Sequence, residues 1–117
     1  MARSVLIVDD HPVFRALARA LLETEGFDVV GEACDAASAL AAAARLEPAI
    51  VLLDVQLPDA DGFEVAERLA ARPTAPKVVL VSTRDASTYR RRLADTSALG
   101  FLSKSDLSGT ALTALGV

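Results

Sequence analysis

Six polar residues stand where short apolar runs end, and their types suit the handling of a phosphoryl group. Asp9 and Asp10 follow Ser4–Val8, Asp54 follows Ala49–Leu53, Ser82 and Thr83 follow Val78–Val81, and Lys104 follows Gly100–Ser103. Clustered carboxylates repel one another and resist ionising unless a cation joins them. An oxygen donor set with no histidine or thiol cluster suits a hard ion such as Mg²⁺, which binds through a few carboxylates and keeps several waters. A divalent ion, an ammonium and a hydroxyl together make a cradle for a phosphoryl group, whose transfer needs mostly positioning and charge neutralisation. One of the three carboxylates can itself be the nucleophile and form an acyl phosphate.

These residues converge only if the runs before them are neighbouring strands. Five short stretches read as strands: Ser4–Val8, Phe27–Ala33, Ala49–Leu53, Val78–Val81 and Gly100–Ser103. Three are almost wholly aliphatic, as expected of parallel strands covered on both faces. Helical segments lie between them. The first has Pro12 in its opening turn and an apolar stripe of Val13, Leu17 and Leu21 at spacing four. Asp35 caps an Ala-rich second helix that ends before Pro48, and Asp61-Gly62-Phe63-Glu64 opens a third with an arrangement of the capping-box kind. Asp85 caps a fourth, where Tyr89 and Leu93 share a face, and a fifth runs from about Asp106 to Leu115. That fifth helix carries Ser108, Gly109, Thr110 and Thr113, all of low propensity, so packing must hold it. Strands alternating with helices imply right-handed crossovers and a doubly wound α/β sandwich, (βα)5. In such a sheet, ligands bind beyond the carboxyl ends of the strands, which is where the six polar residues stand.

Composition excludes several classes. At 117 residues the chain reads as one domain over 1–117, large enough to bury roughly two-thirds of its unfolded surface. With 52% apolar and 24% charged residues it is not a disordered tail. The longest apolar run, Ala39–Ala44, has six residues, against roughly 18 for a bilayer span. Asp9 and Asp10 interrupt the N-terminal apolar stretch too early for a signal peptide. A net charge of −4 argues against a nucleic-acid surface. The lone Cys34 forms no internal disulfide and reads as a small buried side chain, so the chain is expected to be soluble, cytoplasmic and unattached to membrane.

The whole chain, from VLIVDD at 5–10 to FLSK at 101–104, resembles the receiver domains of bacterial two-component response regulators, the CheY-like family. The central motif LLDVQLPDADG at 52–62 sets Asp54, Pro58 and Gly62 at that family's spacing. The opening DDHPVFR is similar to the LuxR/NarL-type branch, whose members usually add a helix-turn-helix domain. The resemblance implies a five-stranded parallel sheet of order 2-1-3-4-5. It further implies that Asp54 is the phosphoacceptor, with Asp10 and Asp54 as direct Mg²⁺ ligands. Asp9 then acts through a bound water, and the backbone carbonyl of Gln56 supplies a further metal oxygen. Ser82 matches the hydroxyl that turns toward the phosphoryl group, Lys104 the lysine that pairs with it, Thr83 a phosphoryl contact and Phe101 the aromatic switch. The implied partner is a histidine kinase or phosphotransfer protein. The implied output surface joins the fourth helix, fifth strand and fifth helix, for a homodimer or another partner. Ser105 departs from the proline many receivers carry after the lysine, and Thr83 is bulkier than the usual Ala or Gly.

Plainer readings stand beside these. Asp10 could cap the first helix, Asp54 could be a loop acid, and Arg90–Arg92 a solvated helix face. His11 is read as exposed at the helix start, Asp59 and Asp61 as loop and cap residues. Lys104 is one of two lysines beside ten arginines, and a compact ammonium fits a phosphoryl group that comes and goes. Three rival functions are weighed: a degenerate receiver acting as a phosphorylation-independent interaction module, an aspartyl-phosphate phosphohydrolase, and a cobalamin-binding domain. The second wants an acid where Gln56 stands. The third wants a glycine where Phe14 stands. Six scattered glycines form no nucleotide-binding loop, so the phosphoryl donor is external.

Overall fold

The computed structural model describes residues 3–117. Five strands, β1 (Ser4–Val8), β2 (Asp28–Ala33), β3 (Ile50–Asp54), β4 (Lys77–Ser82) and β5 (Gly100–Ser103), pair in parallel in the order β2-β1-β3-β4-β5. Between and after them run α1 (Pro12–Thr24), α2 (Ala36–Leu46), α3 (Gly62–Ala70), α4 (Arg90–Asp95) and α5 (Gly109–Ala114). This is the sheet order and the (βα)5 alternation the sequence implies. Two strand ends extend by one residue beyond the apolar runs. Asp54 is the last residue of β3, opposite Val81, and Ser82 the last of β4, opposite Ser103. Pairing persists because Val55 N donates to Val81 O at 3.0 Å. At the other ends, Phe27 and Ala49 lie just outside their strands and Lys77 lies inside β4.

The aliphatic strands are explained by two cores, one on each face of the sheet. Val5, Ile7, Ile50, Leu52, Val79 and Val81 point to the side covered by α1 and α5. Leu6, Val8, Val51, Leu53, Val78 and Leu80 point to the side covered by α2, α3 and the segment leading into α4. Alternation along a strand sends neighbours to opposite faces, so a strand with two covered faces has no polar positions to spare.

Helix α1 is rotated from the expected face. Its buried row is Ala18 and Leu22, flanked by half-buried Phe14, while Val13 and Leu17 are 72% and 65% exposed. Two apolar rows at spacing four lie one residue apart, about 100° around the helix, and the sheet takes the second. The capping box sits at α2, where Asp35 and Ser38 cap each other reciprocally. At α3 the Asp61 carboxylate accepts from Phe63 N (2.8 Å) and pairs with Arg92, and Glu64 pairs with Arg68. The expected fourth helix divides into a 3-10 turn, Ala86–Tyr89, and the six-residue α4. Asp85 caps the turn through Ser87 N (3.1 Å), and Tyr89 is buried. The fifth helix starts later than expected because Ser108 is its cap, accepting from Ala111 N at 2.9 Å. Cys34, expected to be buried, is exposed, because it falls in the loop after β2.

Gly62 fixes the distance between β3 and α3. Its amide donates to Val55 O at 2.7 Å, and a Cβ there would meet the Asp54 carbonyl and come within 2.7 Å of Val55 Cα. Both neighbours are backbone and cannot yield without moving the strand end. Gly62→Ala should therefore destabilise the fold by about 2 kcal/mol or more, read as a lower urea midpoint. The orientation of α1 predicts that Leu22→Ala costs about 2–5 kcal/mol while Leu17→Ala stays within about 0.5, in the same denaturation assay.

Candidate functional site

The carboxyl edge of the sheet brings the predicted residues together. Asp9, just past β1, is fully buried, and its amide donates to Ala33 O at 3.0 Å. Its Oδ1 accepts from His11 N (2.8 Å) and lies 2.9 Å from His11 Nδ1. Its Oδ2 is buried and forms an ion pair with Lys104 Nζ at 2.6 Å, with no further hydrogen-bond partner. Asp10 is exposed, with Oδ1 3.1 Å from His11 Nδ1. Asp54 is 4% exposed; its Oδ1 accepts from Gln56 N (3.1 Å) and its Oδ2 is 3.5 Å from Lys104 Nζ. Ligand atoms of Asp9, Asp10, His11 and Asp54 all lie within 4.8 Å of one another.

Local structure explains each placement. Arg15 on α1 donates to the Asp9 carbonyl at 2.6 Å and also pairs with Glu32 of β2, as does Arg19 at 2.7 Å. The Arg19 hydrogen bond, ahead of the weaker Arg15 one, holds the Glu32 carboxyl below its ordinary pKa despite some burial. Beyond β3, Asp59 reaches back to accept from Ala36 N (2.7 Å) and Ala37 N (3.1 Å), the free amides that begin α2. Those two hydrogen bonds, the Ala36 one first, lower the Asp59 pKa. Lys104 is largely buried, its ammonium 4.5 Å from the centre of the Phe14 ring as well as beside two carboxylates.

The side chains of the remaining predicted residues make no hydrogen bond to the acids among the described residues. Ser82 is buried, but its Oγ is 3.2 Å from the Tyr89 hydroxyl and accepts from Arg84 N at 3.0 Å. Thr83, the next residue, is exposed. Gln56 is exposed and forms an isolated antiparallel bridge with Asp61. Phe101 is half-buried on β5, its ring 5.8 Å from that of Tyr89. Two participants escaped sequence reasoning. His11 is exposed as expected, yet its imidazole touches both aspartates, so the cluster is not purely oxygen. Tyr89 was read only as a helix-face residue; its spacing from Ser82 carries no signal until the 3-10 turn folds it back.

Burial pushes the Asp54 pKa up, and the Asp9 and Asp10 charges add to the rise, against lowering by Gln56 N–H and Lys104. Three carboxylates face one ammonium, so the cluster is short of positive charge. A hard divalent cation fits this set: it would supply the positive charge that one lysine leaves short and offset the repulsion that resists ionisation of Asp54. Because Asp54 binds its proton more tightly folded than unfolded, its ionisation opposes folding. That unfavourable contribution is full above its raised folded value and fades as pH falls toward the ordinary 3.8. Asp54→Asn should raise the thermal midpoint at neutral pH by about 4 °C, equivalent to roughly 1 kcal/mol, with the gap closing on acidification. Mg²⁺ at ten times its Kd should add about 1.4 kcal/mol to the wild type and less to the variant.

Residues 5–114 match the family model of the response regulator receiver domain. BvgA of Bordetella pertussis, named for positive transcription regulation of virulence factors, is 38% identical over 104 residues, 89% of this chain and 50% of BvgA. The DNA-binding transcriptional activator EvgA of Escherichia coli K12 is 33% identical over 103 residues, 88% of this chain and 50% of its own. This chain thus spans about half the length of these curated relatives. The signal receiver domain of a NarL response regulator from Mycobacterium tuberculosis superposes with a TM-score of 0.85 at 32% identity, covering 98% of this chain and 97% of that one. Joined to the acids, hydroxyl and lysine at the sheet's carboxyl edge, these matches place the chain among the response regulator receiver domains, in company with LuxR/NarL-type members.

Proposed function

We propose that the chain is a phosphorylation-controlled switch whose phosphoacceptor is Asp54. The observation that carries this reading is a buried carboxylate at a sheet switch point, beside a lysine and a second buried carboxylate, that of Asp9. A carboxylate oxygen of Asp54 attacks phosphorus, the bond from phosphorus to the donor atom breaks, and its electron pair leaves with the donor. For a histidine kinase or phosphotransfer protein that atom is an imidazole nitrogen, which takes up a proton. The product is an acyl phosphate, later hydrolysed. Lys104 offsets the charge on the transferred group, and Ser82 donates to one of its oxygens.

Mg²⁺ would be held by Asp10, Asp54 and the Gln56 carbonyl, with Asp9 acting through water, and when bound it supplies charge neutralisation at the phosphoryl oxygens. Thr83 lies at the rim as a phosphoryl contact. The role is regulatory rather than catalytic, and self-dephosphorylation is the only turnover. Phosphorylation favours one of two arrangements of the α4-β5-α5 surface, which requires that the phosphoryl group bind that arrangement better. Phe101, on β5 between the site and that surface, serves as the switch. The transcription regulators among the relatives favour a transcriptional output, reached through a homodimer or another domain rather than by nucleic-acid contact from this acidic chain. Such a switch works in the cytoplasm.

Intact mass after incubation with Mg²⁺ and a small phosphodonor tests the reading. Wild type should gain one phosphoryl group, labile to hydroxylamine and dependent on Mg²⁺, and Asp54→Asn should gain none. An unmodified wild type, with both a small donor and a kinase panel, would instead make the chain a phosphorylation-independent interaction module.

A further inference from the structure

Tyr89 is the only tyrosine in a chain without tryptophan, and the fold spends it on a buried position beside the site. It ends the 3-10 turn Ala86–Tyr89 that joins β4 to α4. Its ring lies between Phe63 of α3 and Phe101 of β5, at centroid distances of 5.7 Å and 5.8 Å and tilted 54° to each. Its hydroxyl is 3.2 Å from Ser82 Oγ in a buried contact.

Hydrogen-bond valence makes that contact consequential. A serine hydroxyl has one proton and two lone pairs. In Ser82 one lone pair takes the Arg84 amide, and the bond to Tyr89 engages the hydroxyl a second time. Among the described residues, Ser82 makes no hydrogen bond to Asp54 or Lys104. An anionic phosphoryl oxygen is a stronger acceptor than a phenol. With the Ser82 proton given to the Tyr89 oxygen, donation to the phosphoryl oxygen requires that contact to break, and turning Oγ toward the site carries it away from a buried phenol hydroxyl. The ring has an exit: Tyr89 also lines an open groove with Val55, Gln56, Asp61 and Arg92.

We propose that Tyr89 is a latch. Its hydroxyl holds Ser82 away from the phosphoryl site in the unphosphorylated chain. Its release moves the 86–89 turn, and with it α4, when Asp54 is phosphorylated. Tyr89 is thus a positioning residue that acts through Ser82, and Phe101 follows it through ring contact. The inference rests on the reading of Asp54 as phosphoacceptor.

The test uses beryllofluoride with Mg²⁺ as the phosphoryl mimic, titrated by calorimetry into the 117-residue chain and its Tyr89→Phe, Ser82→Ala and doubly substituted forms. Tyr89→Phe keeps the ring and removes only the competing hydroxyl. It should bind the mimic roughly three- to tenfold more tightly than wild type. In the Ser82→Ala background the same substitution should change nothing, because the partner it releases is gone. Wild-type tyrosine emission, which reports Tyr89 alone, should change with the same midpoint as mimic binding. Equal or weaker binding by Tyr89→Phe, the same gain without Ser82, or silent emission overturns the latch while leaving the phosphoacceptor intact. Failure of wild type to bind the mimic, with or without Mg²⁺, overturns both.

Discussion

Three carboxylates gathered around one ammonium are what the rest of the structure has to hold. Lys104 stands 2.6 Å from Asp9 and 3.5 Å from Asp54, and no other lysine or arginine side chain pairs with either acid among the described residues. Left to itself such a cluster would spread, since each buried charge raises the free energy of the others. It persists because the acids belong to strand ends whose aliphatic stretches are buried on both faces. A fully buried Val, Leu or Ile contributes about 1.5–3 kcal/mol, and β1 and β3 together bury eight such side chains. The sheet therefore tolerates a site that is unfavourable by itself, and that unfavourable charge is what a divalent cation would offset.

The loop after β3 shows the same division of labour on a smaller scale. Asp59 caps the start of α2, Asp61 caps α3 and Gly62 brings α3 against the backbone of Asp54 and Val55. None of these three residues needs to touch a ligand. They hold the loop that carries Gln56, whose amide donates to Asp54 at 3.1 Å. A motif that looks like a string of functional residues is thus largely a device for holding one of them still.

Which parts were legible in the sequence follows from the same physics. Two-sided burial writes a strand as an aliphatic run, so five acids and hydroxyls at run ends, together with Lys104, were readable as one edge. The face of α1 was not, because Val13, Leu17 and Leu21 offer a larger apolar row than Phe14, Ala18 and Leu22. The sheet buries the row with the small Ala18 at its centre and leaves Val13 and Leu17 in solvent. The fifth helix misled for a related reason: Ser108 lowers helix propensity in an interior but favours a cap, and sequence alone does not say which it is. Cys34 looked like core by residue type, and only the loop geometry after β2 exposes it.

Tyr89 escaped notice because its role depends on structure that is not periodic. A regular helix from Asp85 would carry residue 89 on the face it shares with Leu93; the 3-10 turn instead sets its hydroxyl on Ser82. That irregular turn is followed by a helix of six residues with no fully buried side chain, so little apolar contact fixes α4 against the sheet. Edge strand β5 is only half-buried along its length. Strain or release at Tyr89 therefore acts on the least anchored elements of the fold, whereas the same displacement applied to α2 or α3 would have to disturb the packed core. Weak anchoring makes this side of the sheet the part that moves at the smallest cost in packing, and so the side on which release of the Tyr89–Ser82 contact would act.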